Sequence, residues 1–479
     1  MLFNSLVFFV FLIVVFTVYW LFRNQLKLQN VIVLVSSYVF YGWWDWRFLS
    51  LIVISSLADY FIGIWLSRTE EKTKRKLLLA LSILVNIGIL GFFKYFNFFV
   101  DSATDLLSQF GFQANPTSLR IILPVGISFY TFQTLSYSID IYRRQIEPTK
   151  DIIAFFAFVS FFPQLVAGPI ERARNLVPQF LKKRTFDQEN ASDGIRQMLW
   201  GFFKKIVIAD NAAVYANEIF ANYGDHTGGT LLLGAVLFGF QIYGDFSGYS
   251  DIAIGTARLF GFNLMQNFAF PYFSRDIAEF WRRWHISLST WFRDYVYIPI
   301  GGSRVSRLKQ IRNVFVIFLV SGFWHGANYT FIAWGAAHAL LFVPLLVFNK
   351  NRRYTQHIEN RELLRNPQII LKIFLTFLLV TVAWIFFRAQ TISEAFEYII
   401  KMIQTLFESP VKKFNISAQP VFFAIILMII LEWINRKEKH GLQIKNWPVV
   451  ARWSVYVFIA LFIFMYGKFE QTEFIYFAF

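Results

Sequence analysis

The chain has 479 residues, of which 56% are hydrophobic, 20% are aromatic and only 16% are charged. Soluble domains are roughly 45 to 50% apolar and 25% charged, so this composition excludes an ordinary soluble protein and indicates a polytopic membrane protein. The net charge of +16 fits basic cytoplasmic loops rather than a nucleic-acid-binding domain, and the absence of cysteine excludes disulfides, thiolate metal ligands and a thiol nucleophile.

The N-terminal part of the chain predicts a series of membrane spans, because each apolar run is near the roughly 20 residues that a bilayer core requires. The loop from Ser67 to Lys76 is rich in Lys and Arg, whereas Asp101 to Ser118 has neither, so the first should face the cytoplasm and the second the outside. The predicted spans are Leu2 to Phe22, Val31 to Trp44, Phe48 to Leu66, Leu77 to Val100 and Leu119 to Ile141.

The next apolar run, Ile152 to Gly168, lies between two basic and therefore cytoplasmic loops. A single crossing cannot connect two loops on the same side, so a re-entrant or in-plane element is predicted. Non-helical backbone at membrane depth is tolerated where it lines a cavity, which makes Gln164 a candidate residue of a cavity rim. The alternative is an ordinary helix with a proline kink.

Acidic residues interrupt the apolar run Leu232 to Phe262, which contains YGDFSGYSDIAIG. Carboxylates inside a membrane segment usually face an aqueous cavity or a cationic partner, so Asp245 and Asp251 are candidate tunnel-lining residues. The alternative places both acids at a solvated, cytoplasm-proximal helix end.

A basic amphipathic segment follows, from Asp276 to Tyr295, with Trp and Phe recurring at three- and four-residue steps. This spacing predicts one interfacial helix on the cytoplasmic side, with Arg282 on its polar face. His285 falls at the border of the apolar stripe, where an imidazole can line the mouth of a pocket. The alternative is an unremarkable surface histidine.

The run from Asn313 to Phe348 is roughly twice as long as a bilayer core is thick, which predicts a helical hairpin. Its break, Trp324-His325-Gly326-Ala327-Asn328, places polar groups in apolar sequence, where unpaired ones are costly and tend to be functional. His325 is therefore the first catalytic candidate. The alternative is a histidine that only joins neighbouring helices by hydrogen bonds.

The C-terminal part predicts further spans, and Ala389 to Ala418 is long enough to contain an extracellular helix. No repeat or soluble domain is visible, so residues 1–479 are expected to form one membrane domain, with a motif-bearing core at about residues 119–349. Nucleotide-binding, zinc-protease and serine-hydrolase motifs are absent. We expect no bound metal or cofactor. The predicted spans are Ile369 to Phe387, Pro420 to Ile434 and Val449 to Tyr466.

Five ordered motifs carry a family resemblance: PVGISFYTFQTLSYSIDIYR, FFPQLVAGPIER, YGDFSGYSDIAIG, FWRRWHISLSTWFRDYVYIPIGG and SGFWHGANYTFIAWGAAH. Together they resemble the membrane-bound O-acyltransferase family, in particular its bacterial alginate O-acetyltransferase-like branch. The resemblance implies an all-α fold in which tilted, re-entrant and interfacial helices surround a central tunnel open to both sides of the membrane.

The same resemblance implies that His325 is catalytic and that His285 assists, while His338 matches a third histidine of the family. Trp324, Asn328, Gln164, Arg282, Asp245 and Asp251 are expected to support the site or line the tunnel. Acetyl-CoA or another acyl thioester is the implied donor. The implied partners are the lipid bilayer, a periplasmic acetyltransferase and a polysaccharide acceptor.

The predicted function is transfer of an acyl group, expected to be acetyl, from a cytosolic thioester for O-acetylation of an extracytoplasmic polysaccharide such as alginate, in the bacterial inner membrane. Imidazole suits this chemistry because it is a general base near neutral pH. Two rivals remain open: an ion-coupled secondary transporter that uses Asp245 and Asp251, and a non-catalytic scaffold of an exopolysaccharide machine.

Overall fold

The computed structural model describes residues 1–112, 121–166, 168–356, 358–359, 366–408 and 419–469. Within these residues the regular secondary structure is helical throughout, with no strand. Six helical segments in the described part of the chain are long and apolar enough to cross a membrane. The prediction of an all-α, polytopic membrane protein is therefore confirmed.

The chain divides into two compact units. Unit 1 comprises Met1–Ala191 and Ala257–Leu264, and unit 2 comprises Ser192–Thr256 and Met265–Phe479. The expectation of one domain over residues 1–479 stays a prediction.

Unit 1 contains the first nine α-helices found among the described residues. A polar cluster joins three of them: the buried carboxylate of Asp59 accepts hydrogen bonds from Ser82, from Ser138 at 2.6 Å and from the Asn86 amide at 2.6 Å. The helices are α1 (Leu6–Leu21), α2 (Leu26–Asp45), α3 (Leu49–Arg68), α4 (Lys72–Leu90), α5 (Phe96–Gln109), α6 (Ile127–Tyr142), α7 (Ile152–Ser160), α8 (Phe162–Leu165) and α9 (Ala173–Leu181).

The predicted re-entrant segment is broken into α7 and α8 at Phe161. The nine residues of α7 span only about 14 Å at a rise of 1.5 Å per residue, which is too short to cross a bilayer core. This length supports the re-entrant prediction over one kinked spanning helix. The preceding predicted span begins later than expected, at Ile127, since Gly126 before it has a left-handed backbone that interrupts the helix.

Unit 2 contains the remaining α-helices of the described residues. Two of them, Gln188–Phe202 and Gly228–Leu259, begin or end with a few residues that belong to unit 1. The segment from Ala389 to Ala418 contains a helix at Ile392–Gln404, and its expected extracellular location stays a prediction. The helices are α10 (Gln188–Phe202), α11 (Asp210–Ala221), α12 (Gly228–Leu259), α13 (Ile277–Arg283), α14 (Ile286–Phe292), α15 (Arg307–His325), α16 (Tyr329–Val347), α17 (Gln368–Arg388), α18 (Ile392–Gln404), α19 (Gln419–Ile434) and α20 (Val449–Tyr466).

Helices α10 and α12 approach so closely that glycine is required at their contacts. A Cβ atom at Gly201 would lie 2.6 Å from the carbonyl oxygen of Gly248, and a Cβ atom at Gly255 would lie 2.4 Å from the carbonyl oxygen of Gly194. Small residues permit such close packing of membrane helices. The two contacts run in opposite directions along the helices, so α10 and α12 are antiparallel.

The predicted hairpin is present as α15 and α16. Glycine again permits the close approach: a Cβ atom at Gly322 would lie 2.2 Å from the carbonyl oxygen of Phe331, and one at Gly335 would lie 2.4 Å from that of Phe318. Val314, Phe318, Ala339 and Leu346 form a buried apolar cluster between the two helices. This cluster stabilises the packing of α15 against α16 along the part of the hairpin away from its turn.

Candidate functional site

His325 is the last residue of α15, directly before the turn of the hairpin. Gly326 is extended, and the Asn328 side chain caps α16 by accepting a hydrogen bond from the Thr330 amide at 3.0 Å. Asn328 also donates to the carbonyl oxygen of Gln390 at 3.0 Å. His325 is only 2% exposed, so the turn places this imidazole inside unit 2 rather than at its surface.

The segment around His285 differs from the prediction. Instead of one amphipathic helix from Asp276 to Tyr295, the chain forms α13 and α14, separated at Trp284 and His285. His285 has φ 43°, the left-handed backbone conformation that non-glycine residues adopt rarely and often at functional sites. The periodicity was correct for each half, but the break rotates His285 from the border of a stripe into the interior, where its exposure is 0%.

The imidazole of His285 has polar contacts at one ring nitrogen and none at the other among the described residues. Its Nδ1 lies 3.1 Å from Oδ1 of Asn267 and 3.5 Å from Oγ of Ser287, whereas its Nε2 is buried without a hydrogen-bond partner. Burial lowers the pKa of His285 to about 3, so the ring is neutral near pH 7. A neutral imidazole can accept a proton only at the nitrogen that carries its lone pair.

The rings of His285 and His325 share one aromatic enclosure. Their centroids are 6.4 Å apart, and Trp324 lies beside both, at 6.0 Å from His285 and 4.9 Å from His325. Trp334 packs edge-on against His325 at 5.1 Å, and Phe387 lies at 5.5 Å. The two motifs that the sequence singled out separately therefore converge in unit 2.

His338 lies on α16 beyond Trp334, whose ring centroid is 4.9 Å from that of His338. The Nε1–H of Trp281 donates to Nδ1 of His338 at 3.3 Å. Because a tryptophan nitrogen can only donate, Nδ1 of His338 is the acceptor and Nε2 carries the proton in the neutral ring. His338 is therefore adjacent to the enclosure and separated from His325 by the indole of Trp334.

Asp245 and Asp251 are buried, but both are engaged by lysines. Lys205 lies 2.8 Å from Asp245 and 2.8 Å from Asp210, and Lys204 lies 2.6 Å from Asp251. Both carboxylates are buried, which contradicts the alternative of solvated acids at a helix end, and each faces a cationic partner. Their expected contact with a tunnel stays a prediction.

These two lysines were missed, although the sequence carries a signal for them. The pair stands in the apolar stretch GFFKKIVIAD, and charges in such a setting are almost always paired. Asn267 was also missed, and no comparable signal marks it, because its contact with His285 arises only from the fold.

The other predicted supporting residues have diverse settings. Trp324 borders both catalytic candidates, and Asn328 shapes the turn after His325. Arg282 is exposed and donates to the carbonyl oxygens of Asn351 at 2.9 Å and Tyr354 at 2.7 Å. It therefore binds the segment that follows α16. Gln164 belongs to unit 1, where its amide donates to the carbonyl oxygen of Phe158 at 3.1 Å.

No group of three or more His, Asp or Glu side chains in the described ranges could hold a metal ion. The enclosure offers two buried imidazoles, those of His285 and His325, surrounded by aromatic rings. Such a site suits proton transfer to or from a bound hydroxyl or thiol.

Comparison with known proteins places this site in context. Residues 144–389, which include His285, His325 and His338, match the sequence model of the membrane-bound O-acyltransferase family, MBOAT. The chain is 39% identical over 448 residues to the probable alginate O-acetylase AlgI of Pseudomonas aeruginosa, covering 91% of this chain and 82% of that protein.

Two further relatives carry other names. The chain is 32% identical to the peptidoglycan O-acetyltransferase of Helicobacter pylori, covering 100% of this chain and 98% of that protein. It is 30% identical to the teichoic acid D-alanyltransferase of Bacillus subtilis, covering 50% of this chain and 64% of that protein. Acyl transfer to a polymer is common to the three names.

Proposed function

The chain belongs to the membrane-bound O-acyltransferase family, and on that basis we propose that it transfers an acetyl group from a cytosolic thioester for O-acetylation of an extracytoplasmic polysaccharide. The general activity, O-acyl transfer by a multi-pass membrane protein, follows from family membership and the apolar helices. The proposal concerns the donor, the acceptor and the residues that carry out the reaction.

The single observation that carries the proposal is the convergence of His285 and His325, with ring centroids 6.4 Å apart. Each histidine stands where a helix is interrupted, and both are buried among aromatic rings. A general base held in such an enclosure contributes typically about 10²- to 10⁴-fold to the rate of a proton-transfer step.

We assign His325 to activating the acceptor hydroxyl and His285 to assisting it. The hydroxyl oxygen attacks the thioester carbonyl carbon, so a C–O bond forms and the C–S bond breaks. The imidazole takes the hydroxyl proton and returns it to the departing thiolate, which leaves as a thiol. An acyl-histidine intermediate is a variant of the same route.

The expected donor is acetyl-CoA, because the basic loops of the chain face the cytoplasm by the positive-inside rule and thioesters are made there. The expected acceptor is alginate or a similar polysaccharide, which the names of the relatives support. We further propose that a periplasmic acetyltransferase receives the acetyl group before the glycan, and that the bacterial inner membrane holds the enzyme.

The decisive experiment uses the full chain purified into lipid nanodiscs with acetyl-CoA labelled in the acetyl group. Thiol release and label transfer to an oligosaccharide of alginate type are measured together, with the His325→Ala variant as the matched control. The proposal expects thiol release that depends on His325, with an ester on the oligosaccharide when the periplasmic acetyltransferase is added. An ester formed by this chain alone would instead show direct transfer to the glycan, without the partner protein.

The same experiment separates the rivals. Neither an ion-coupled transporter nor a scaffold consumes a thioester, so an absence of thiol release with all components present would favour one of them. The pairing of Asp245 and Asp251 with lysines already weighs against the transporter, since carriage of an ion would require these carboxylates to exchange partners.

A further inference from the structure

The short stretch from Asn267 to Ala269 is hydrogen-bonded to both sides of the helix break that positions His285. The backbone amide of Ile286 donates to the carbonyl oxygen of Asn267 at 2.8 Å, and the amide of Ala269 donates to the carbonyl oxygen of Arg283 at 2.9 Å. These bonds hold a short stretch of chain alongside the break. Asn267 is fully buried there, and the left-handed backbone of His285 is held between the two contacts.

The side-chain amide of Asn267 has an orientation that its neighbours determine. Its Oδ1 lies 3.4 Å from the backbone amide of Ser287 and accepts from Ser287 Oγ at 2.9 Å, while its Nδ2 donates to Ser250 Oγ at 3.0 Å. A backbone amide can only donate, so the atom facing Ser287 must be the oxygen. The reversed amide would oppose one N–H group to another.

This orientation determines the tautomer of His285. Its Nδ1 lies 3.1 Å from the same oxygen, and a lone pair on Nδ1 would repel the lone pairs of Oδ1. Nδ1 therefore carries the proton, and the lone pair of the neutral ring stands on Nε2, the buried nitrogen without a partner among the described residues. The hydrogen bond at one ring nitrogen thus selects the chemistry of the other.

We propose that Asn267 is a positioning residue that keeps the proton of His285 on Nδ1 and so leaves the Nε2 lone pair of His285 free to accept a hydrogen bond in the enclosure shared with His325. The inference rests on the proposed acyl transfer for its functional meaning. In that reaction His325 takes the hydroxyl proton and later returns it to the thiolate, and the Nε2 lone pair of His285 assists by accepting a hydrogen bond from a group bound in the enclosure. Asn267 touches none of the reacting atoms and acts through His285.

The tautomer can be measured directly. The full chain, labelled with ¹⁵N-histidine and reconstituted in nanodiscs, gives ring-nitrogen NMR signals that distinguish a protonated from an unprotonated nitrogen, and the His285→Gln variant assigns the His285 signals by difference. We expect the Nδ1–H form in the parent protein and its loss or mixture in Asn267→Ala. An Nε2–H form in the parent, or an unchanged spectrum in Asn267→Ala, would overturn the inference.

Kinetics then test the functional part. Asn267→Ala should lower kcat/KM for acyl transfer at least about tenfold, the lower end of the effect of losing a group that orients a functional histidine. Asn267→Asp should recover part of the loss, because a carboxylate also accepts the Nδ1–H bond. The carboxylate would also favour the imidazolium form, so the acidic limb of the pH profile should move to higher pH.

The control is Ser250→Ala, which removes the hydrogen bond that Nδ2 of Asn267 donates and leaves the contacts of Oδ1 with Ser287 and His285 in place. The rings packed around His285 come from α12, from the segment that contains Asn267, and from α15. They are Phe246, Phe268, Trp324 and His325. His325 is the titratable group in this set. Ser250→Ala should leave the pH profile in place. If Asn267→Asp and Ser250→Ala lose kcat/KM for acyl transfer equally, with no shift in the pH profile, the role of Asn267 is structural only.

The two proposals can fail independently. If the parent protein transfers no acetyl group, the proposed function fails, and the NMR measurement still decides whether Asn267 sets the tautomer. If transfer occurs but the tautomer is independent of Asn267, the inference alone fails.

Discussion

Lys204 and Asp251 form an ion pair at 2.6 Å with both side chains almost completely buried. The side-chain amide of Gln197 donates a hydrogen bond to the other carboxylate oxygen of Asp251 at 2.7 Å, and the hydroxyl of Ser247 accepts one from Lys204 at 2.8 Å. Removing one partner of a buried pair leaves an uncompensated charge in a poorly solvated interior. The cost is typically about 3 to 5 kcal/mol, far more than the net contribution of the intact pair.

We therefore predict that Lys204→Met destabilises the protein by about 3 to 5 kcal/mol, and that Lys204→Met combined with Asp251→Leu recovers most of the loss. The measurement is thermal unfolding in detergent followed by size-exclusion chromatography. The matched control is Lys74→Met at the exposed pair with Glu71, where no measurable change in stability is expected because solvent screens the pair. Equal effects at the two lysines would contradict the importance of burial.

His325→Ala and His325→Gln should each give a folded protein whose acyl transfer is reduced by at least about 10²-fold, the lower end for loss of a general base. The measurement is thiol release from labelled acetyl thioester in nanodiscs. His226→Gln is a suitable control, since His226 is also buried but lies 3.5 Å from Glu218 in another part of unit 2. Substantial transfer by the His325 variants would remove this residue from the catalytic role.

His285→Ala should reduce transfer by less than His325→Ala, because we assign His285 an assisting role. The comparison requires kcat and KM for both variants under the same conditions. A complete and equal loss in both would instead mean that the two imidazoles, with rings 6.4 Å apart, act as a joint catalytic pair.

Gly326→Ala should impair transfer, because the turn has no room for a methyl group. A Cβ atom there would lie 2.1 Å from the ring of Phe331, and that ring packs on Phe387 at 4.8 Å, beside His325. The double variant Gly326→Ala, Phe331→Leu makes room and should regain part of the activity. If Gly326→Ala is fully active, the turn is more adaptable than its packing indicates.

The re-entrant prediction can be tested by labelling, since the chain has no native cysteine. A cysteine at Arg174, an exposed residue on α9, should react with a membrane-impermeant maleimide only after the cytoplasmic side is opened. A cysteine at Asp101, exposed on α5, should react from the outside. Labelling of position 174 from the outside would mean that Ile152 to Gly168 crosses the membrane.

Hydrophobic periodicity and length predicted the helical architecture well, because both are local properties of the sequence. The hairpin from Asn313 to Phe348, the break before Gly168 and the helix within Ala389 to Ala418 all follow from run length and a few polar residues. The left-handed residue at His285 does not, because the flanking sequence has helical periodicity on both sides. Tertiary contacts with Asn267 stabilise that backbone conformation, and no local sequence pattern reveals them.

The candidate site was predictable in its histidines but not in their relationship. His285 and His325 were identified from separate motifs, and their proximity depends on packing between segments far apart in the chain. The lysine partners of Asp245 and Asp251 are likewise defined by long-range pairing. Residue type indicated that these acids needed a partner, whereas the fold determined which cations supplied it.

The glycine contacts between α10 and α12 have a mechanical consequence. Gly201 against Gly248 and Gly194 against Gly255 bring the two backbones so close that sliding by one residue would drive a side chain into a carbonyl group. The close backbone contacts therefore fix the register of the two helices. Lys204, in the segment after α10, and Asp251 of α12 keep their alignment for the same reason, so we expect the contact between these two helices to stay unchanged while substrates bind.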